Sequence, residues 1–87
     1  MKIKYEFVKR SNAGETFLVP IGSGSAKFPG LFVLTDVASF IWDRIPDAET
    51  ENDLVELILE EYDVTREVAA ADTAEFLGKL REMGIID

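Results

Sequence analysis

Carboxylates are the most abundant side chains in this sequence that could do acid–base chemistry. The 87 residues include 17 Asp and Glu but neither His nor Cys, so a serine–histidine triad and a cysteine nucleophile are excluded. Three closely spaced carboxylate pairs are present: Asp43 with Asp47, Glu49 with Glu51, and Glu60 with Glu61. An acid–base pair needs a pocket that drives two pKa values apart, whereas these pairs fall on predicted solvent faces or in the acidic connection 47–53. The sequence therefore predicts no catalytic residues.

Two short segments contain residue types that bind phosphate or metal ions in other contexts. Gly22, Gly24 and Lys27 resemble part of a phosphate-binding loop, but such a loop leads into a helix N-terminus. Here the chain continues through residues 28–30 into a predicted strand. The acidic run 47–53 supplies oxygen ligands, but it lacks the central glycine of a calcium loop and leads into a helix. We therefore expect neither a bound cofactor nor a metal site.

Length and composition limit the class of protein. A chain of 87 residues with a hydrophobic fraction of 47% predicts one folded domain over residues 1–87. The net charge of −8 disfavours nucleic-acid binding, which depends on Lys and Arg contacts to phosphates. No apolar run approaches the roughly 18 residues of a membrane span, and the start lacks the apolar core of a secretory signal. We expect a cytoplasmic protein that binds neither membranes nor nucleic acid.

The segment from Gly30 to Trp42 is the most informative part of the chain, because it predicts an apolar strand that continues directly into a capped helix. Four consecutive apolar residues, Leu31 to Leu34, are typical of a strand that is covered on both faces. A chain of this length has little material to cover both faces, so a binding partner is one candidate for the second cover. Thr35 is a suitable N-cap for the helix that follows. The alternative interpretation is that the whole strand belongs to the core.

The remaining periodicities predict an α+β fold. The predicted elements are strands near 3–9, 16–21 and 31–34 and helices at about 36–45, 51–62 and 66–83. Residues 22–27, rich in Gly and Ser, predict a flexible loop. Because the strands precede the helices, we expect a three-stranded antiparallel sheet followed by three helices, in a winged-helix-like arrangement.

Recognition of a peptide is the chemistry that fits the apolar third strand. A strand at an exposed sheet edge has free N–H and C=O groups that pair with an extended peptide, while neighbouring apolar pockets select its side chains. A mostly polar stripe on the third helix could flank such a peptide: Val68, Asp72, Glu75 and Lys79. Glu75 and Lys79 are also spaced as an ordinary i,i+4 ion pair of an exposed helix. The sequence leaves both interpretations of the stripe open.

The second half of the chain, roughly residues 30–87, resembles the PqqD family in the order and spacing of short motifs. The motifs are Leu34-Thr35, Ile41-Trp42, Leu54-Val55 with Leu59, Tyr62-Asp63-Val64, Asp72 with Phe76-Leu77 and Leu80, and Gly84-Ile85-Ile86. Members that act in the synthesis of pyrroloquinoline quinone (PQQ) usually have an acidic-proline motif before the third strand and Cys-Asp-Gly after the first helix. This chain has neither motif at those positions. The resemblance therefore leaves open whether the pathway is PQQ biosynthesis or that of another modified peptide.

The resemblance implies a winged-helix-like RiPP recognition element, which is a non-catalytic domain that binds the leader of a ribosomally made, later modified precursor peptide. The leader would add as a strand beside the third strand, and the domain would act as a peptide chaperone that presents it to a modifying enzyme, often a radical SAM protein. The implied peptide-binding residues are Leu31, Phe32, Val33 and Leu34 on the strand and Asp72, Glu75, Phe76 and Lys79 on the third helix.

Two other functions fit the predicted fold. A winged-helix DNA-binding protein would need a basic recognition helix, whereas the third helix carries mixed charges: Glu67, Asp72, Glu75 and Glu82 against Arg66, Lys79 and Arg81. A small self-associating scaffold domain would instead bury the strand Leu31–Leu34 against a second copy. The flexible loop 22–30 would permit strand exchange between copies. The sequence therefore leaves open a monomer, a dimer and a strand-swapped dimer.

Overall fold

The computed structural model describes residues 1–87 and has an α+β architecture. Its elements in chain order are β1 (Phe7–Asn12), β2 (Glu15–Pro20), α1 (Ser23–Lys27), β3 (Phe32–Leu34), α2 (Asp36–Arg44), a 3-10 turn (Ile45–Asp47), α3 (Glu51–Glu61) and α4 (Arg66–Glu82). The predicted three-stranded sheet followed by three helices is confirmed, and α4 is the third helix of the prediction. The short helix α1 between β2 and β3 was not predicted.

The sheet is antiparallel, in the order β1-β2-β3. The hairpin between β1 and β2 turns at Ala13 and Gly14, whose φ angles of 52° and 81° are both positive, as the tightest antiparallel turns require. Strand β3 pairs with β2 on one side only, so it is an edge of the sheet. The exposed sheet edge that peptide pairing requires is therefore present.

The first strand begins later than the prediction of 3–9. Residues before Phe7 lie outside the sheet, and the Lys4 N–H instead donates to the Ile85 carbonyl oxygen at 2.8 Å. Ile3 packs against the core from this position. Only residues 7–9 of the predicted strand therefore pair with β2, while Lys4 pairs with the C-terminal segment.

The prediction of a flexible loop at 22–27 is wrong, since residues Ser23–Lys27 form the helix α1. The N–H of Glu6 donates to the Ser23 hydroxyl at 3.1 Å, which joins this helix to the segment before β1. Gly24 is buried against the backbone of Glu6, and a Cβ at Gly24 would collide with the Glu6 carbonyl oxygen. In the sequence, Gly24 suggests a flexible loop; in the structure, its lack of a side chain permits a close approach of two backbone segments.

Three threonines begin the longer helices, as their positions in the sequence predict. The Thr35 hydroxyl accepts from the Ala38 N–H at 3.1 Å, and the Thr65 hydroxyl accepts from the Val68 N–H at 3.2 Å. Thr50 and Asp53 form a reciprocal capping box at the start of α3. The helices therefore begin where the sequence places them, which fixes α2 directly after β3.

The core lies between one face of the sheet and the helices. Its members are the following buried apolar residues: Leu18, Leu34, Ile41, Trp42, Ile45, Ala48, Leu54, Val55, Ile58, Ala69, Leu77, Leu80, Ile85 and Ile86. Phe32 extends this core through ring contacts with Phe7 and Phe28, at centroid distances of 6.1 Å and 5.8 Å. The opposite face of β3 is not covered by this chain, because Val33 is 61% exposed. The apolar run of β3 is thus buried on one face and open on the other.

Candidate functional site

A groove of about 570 Å³ lies between the edge strand β3 and the helix α4. Most of the side chains that line it are apolar. All the site residues implied by the sequence resemblance line this groove: Leu31, Phe32, Val33, Leu34, Asp72, Glu75, Phe76 and Lys79. Residues separated by about forty positions in the chain are therefore brought to one concave surface.

The first wall of the groove is the β3 segment. Leu18 and Phe17 of β2 pair with Phe32 and Val33, and the far side of β3 has no neighbouring strand. In a strand with one neighbour, about half of the backbone N–H and C=O groups point away from the sheet without a ladder partner. This wall therefore offers backbone hydrogen-bonding groups next to apolar side chains.

The floor of the groove comes from α2, which supplies none of the site residues named in the sequence analysis. Val37, Ala38 and Ile41 line the groove, and they form an apolar stripe at the spacing of one helix face. Thr35 caps α2 immediately after β3, so the first turns of this helix follow the strand directly. The stripe was the available signal, but periodicity alone does not distinguish a core face from the floor of a groove.

The second wall is α4, whose two neighbouring stripes have different environments. Ala69, Thr73 and Leu77 are buried in the core. The Thr73 hydroxyl, the one buried polar side chain, donates to the Ala69 carbonyl oxygen at 2.7 Å and is thereby satisfied within its own helix. The adjacent stripe, which includes Asp72 and Phe76, faces the groove. The groove-lining side chains of this wall are therefore charged and apolar in turn: Asp72, Glu75 and Lys79 are charged, and Phe76, Leu80 and Met83 are apolar.

The two carboxylates on the α4 wall differ, because Glu75 forms an ion pair and Asp72 does not. The Lys79 ammonium lies 3.4 Å from the Glu75 carboxylate, as an i,i+4 ion pair. Asp72 takes part in none of the ion pairs or side-chain hydrogen bonds of the structure. Arg66, six residues earlier on the helix, is paired with Glu56 at 2.7 Å. The groove therefore carries one unneutralised carboxylate.

The groups with shifted pKa values are surface pairs and caps that support the fold. Hydrogen bonds from the backbone N–H groups of Thr50 and Glu49 lower the pKa of the Asp53 carboxyl. A hydrogen bond and ion pair with Lys4 lower the pKa of the Asp87 carboxyl in the same way. Neither carboxyl lines the groove. Both shifts have a structural cause, and neither describes a catalytic acid or base.

The structure contains no group of three or more Asp and Glu side chains arranged to hold a metal ion. No helix combines the length and the apolar character that crossing a bilayer requires. What the groove offers is an edge of free backbone groups, an apolar floor and a partly charged wall. This arrangement suits an extended ligand that both hydrogen-bonds along its backbone and buries apolar side chains.

Comparisons with protein-family models and with solved structures both find matches, and the two agree. The family model for Coenzyme PQQ synthesis protein D (PqqD) matches residues 15–86, which include β2 and every later element. The match thus begins earlier than the resemblance over residues 30–87 indicated. The comparison with curated proteins gives no match.

Two similar solved structures cover nearly the whole chain. The structure "TbiB1 in Complex with the TbiA(beta) Leader Peptide" is 26% identical in sequence to this chain. The match covers 100% of this chain and 95% of the chain in that structure, with a TM-score of 0.71. The structure "Lasso peptide synthetase B1 complexed with the leader peptide" is 25% identical in sequence. The match covers 97% of this chain and 93% of the chain in that structure, with a TM-score of 0.69. Since the family model spans most of the sequence, the chain belongs to the PqqD family.

Proposed function

We propose that this protein is a RiPP recognition element, which binds the leader segment of a ribosomally made precursor peptide as an added strand beside β3. The observation that carries this proposal is the unpaired edge of β3, which opens onto an apolar groove. Both similar structures are complexes with a leader peptide. Their ligand is therefore of the class for which this groove is suited.

Strand addition explains why exposed apolar residues lie beside free backbone groups. Leu31 is 54% exposed and Val33 is 61% exposed, and both line the groove. An added strand would hydrogen-bond to β3 and would cover part of these side chains. Backbone pairing would supply affinity that is independent of the peptide sequence, and the apolar floor would supply selectivity.

The proposed role is non-catalytic. The chain has no histidine or cysteine, and the two carboxylates of its groove, Asp72 and Glu75, are both exposed and so lack the enclosed environment of a catalytic acid–base pair. The protein would hold the leader while a separate enzyme, a radical SAM protein or another modifying enzyme, acts on the rest of the precursor. The pathway would be PQQ biosynthesis or that of another modified peptide. We propose the cytoplasm as its location, because precursor peptides are made there.

An isotope-edited NMR titration tests this proposal most directly. Short peptides encoded near the gene are added to the labelled protein, and backbone shifts are followed. We expect saturable shifts in residues 30–35 and along α4, with small changes in α3, which does not line the groove. Saturable shifts centred elsewhere, or no shifts with any of these peptides, would contradict the proposal.

Self-association is a second candidate, because the same exposed edge and apolar side chains fit another copy of the chain. Sedimentation velocity with and without peptide separates the two functions. A recognition element remains monomeric, or its dimer dissociates as peptide is added. A scaffold domain forms a tight dimer that has no remaining capacity for peptide.

A further inference from the structure

One row of side chains on the α4 wall begins with a carboxylate and continues with apolar residues. Asp72, Phe76 and Leu80 line the groove at successive turns of the helix, and Leu80 is only 2% exposed. These three residues are spaced i, i+4 and i+8, so they face the groove in a row. A ligand that lies along this row therefore meets a carboxylate and then two apolar side chains, of which Phe76 is the more exposed, while Glu75 and Lys79 line the groove beside the row.

The carboxylate of Asp72 is the charged group of the groove that forms no ion pair within the chain. Glu75 is already neutralised by Lys79 at 3.4 Å, and Arg66 is paired with Glu56 at 2.7 Å. The chain as a whole carries a net charge of −8, so its field attracts cations and repels acidic peptides. Both the local and the overall charge favour a basic side chain near Asp72.

The spacing of the row matches the repeat of an extended peptide. Four helical residues rise about 6 Å, and two strand residues span about 6.6 Å. Alternate side chains of an added strand point to the same face of the sheet. A peptide strand that runs alongside α4 can therefore place successive inward side chains opposite Asp72, Phe76 and Leu80 without losing register.

We infer that the groove selects peptides in which a Lys or Arg is followed, or preceded, by apolar residues at the second and fourth positions from it. The basic side chain pairs with Asp72, and the two apolar side chains contact Phe76 and Leu80. The two orders correspond to the two directions in which the strand can lie along β3. The inference rests on the proposed function, since it names the peptide sequence that the same groove takes.

Selection from a display library of random peptides tests this pattern. We expect the enriched sequences to share the spacing of one basic and two apolar residues in one of the two orders. Enriched sequences that bind at β3 but have no preferred basic residue would overturn the inference and leave the proposed function intact. A library from which nothing is enriched would contradict the proposed function itself.

A double-mutant cycle on an enriched peptide then tests the role of Asp72. Asp72→Asn should weaken the binding of the peptide with lysine by about two- to fivefold, the range of an exposed ion pair. It should have little effect when the peptide lysine is replaced by glutamine. Higher salt should reduce the difference between the two peptides. Equal effects of Asp72→Asn on both peptides would overturn the pairing.

Two further variants remove the ambiguity of a general charge effect. Glu82→Gln makes the same charge change on an exposed residue of the same helix that does not line the groove. It should leave the preference for lysine over glutamine unchanged. Asp72→Lys should reverse the preference, so that the peptide with glutamate in place of lysine binds more tightly. If Asp72→Lys leaves lysine preferred, Asp72 is not the partner.

Discussion

Replacing Leu31 with serine measures how much a bound peptide covers the β3 edge. Complete burial of a leucine side chain contributes about 1.5–3 kcal/mol, and Leu31 is 54% exposed in the free protein. A peptide that covers this exposed part gains about 0.8–1.6 kcal/mol from it. Leu31→Ser should therefore weaken peptide binding by about four- to fifteenfold.

The same substitution should leave the protein folded. The part of Leu31 that is already covered contributes about 0.7–1.4 kcal/mol by the same arithmetic. The free energy of unfolding for a chain of this length is about 4–13 kcal/mol. A loss of this size shifts the melting temperature without unfolding the protein at room temperature, so the binding measurement remains valid.

Ile21→Ser is the matched control for this experiment. Ile21 is 39% exposed, less than Leu31, and it does not line the groove. The control should therefore lose at least as much stability and yet keep its affinity for peptide. Fluorescence anisotropy with a labelled peptide measures binding, and urea denaturation measures stability. If folded Leu31→Ser binds as tightly as the original protein, the peptide does not cover this edge and the reasoning fails.

Three further predictions concern the fold and its pH dependence. Leu77→Ala, at a fully buried position of α4, should reduce the free energy of unfolding by about 2–5 kcal/mol in urea denaturation, because it leaves a cavity in the core; a smaller loss would mean that the helices move together to fill it. Thr50→Ala should lose about 1 kcal/mol of stability with the cap of α3, while peptide affinity in a titration stays the same. The lowered pKa of Asp53 means that its backbone hydrogen bonds stabilise the protein above the pKa of the unfolded state and cease to do so as pH falls through the lower folded value. The stability difference between the original protein and Asp53→Asn should therefore be constant near neutral pH and shrink in strong acid, and a difference that is independent of pH would show that the carboxylate charge is not involved.

The helix boundaries could be predicted because their causes are local. A threonine hydroxyl caps an N–H three residues away, so Thr35 and Thr65 carry their information in a short segment of sequence. The start of β1 and the helix α1 have causes that are distant in the chain. Lys4 pairs with Ile85, and Gly24 contacts Glu6. Such long-range contacts leave no local pattern from which they could be predicted.

The candidate site was predictable in part for a similar reason. The apolar run at β3 departs from the alternation of a half-buried strand, and it lines the groove. Of the polar stripe on α4, Asp72, Glu75 and Lys79 also line the groove, whereas Val68 does not. Val37 and Ala38 line it as well, but their pattern is that of any amphipathic helix. Whether an apolar stripe meets another element or an open groove depends on the tertiary arrangement, which the periodicity does not contain.

The groove shares its floor with the core, and this determines which substitutions can report on function. Leu34 and Ile41 are buried and also line the groove, so their replacement would change stability and binding together. Because a ligand that binds only the folded state adds to its stability, peptide would also partly restore such variants. Leu31, Val33 and Asp72 lie at the rim, where exposure in the free protein keeps the two effects apart. A loss of peptide binding at the rim with retained stability is therefore the result that separates a recognition surface from an incompletely covered core.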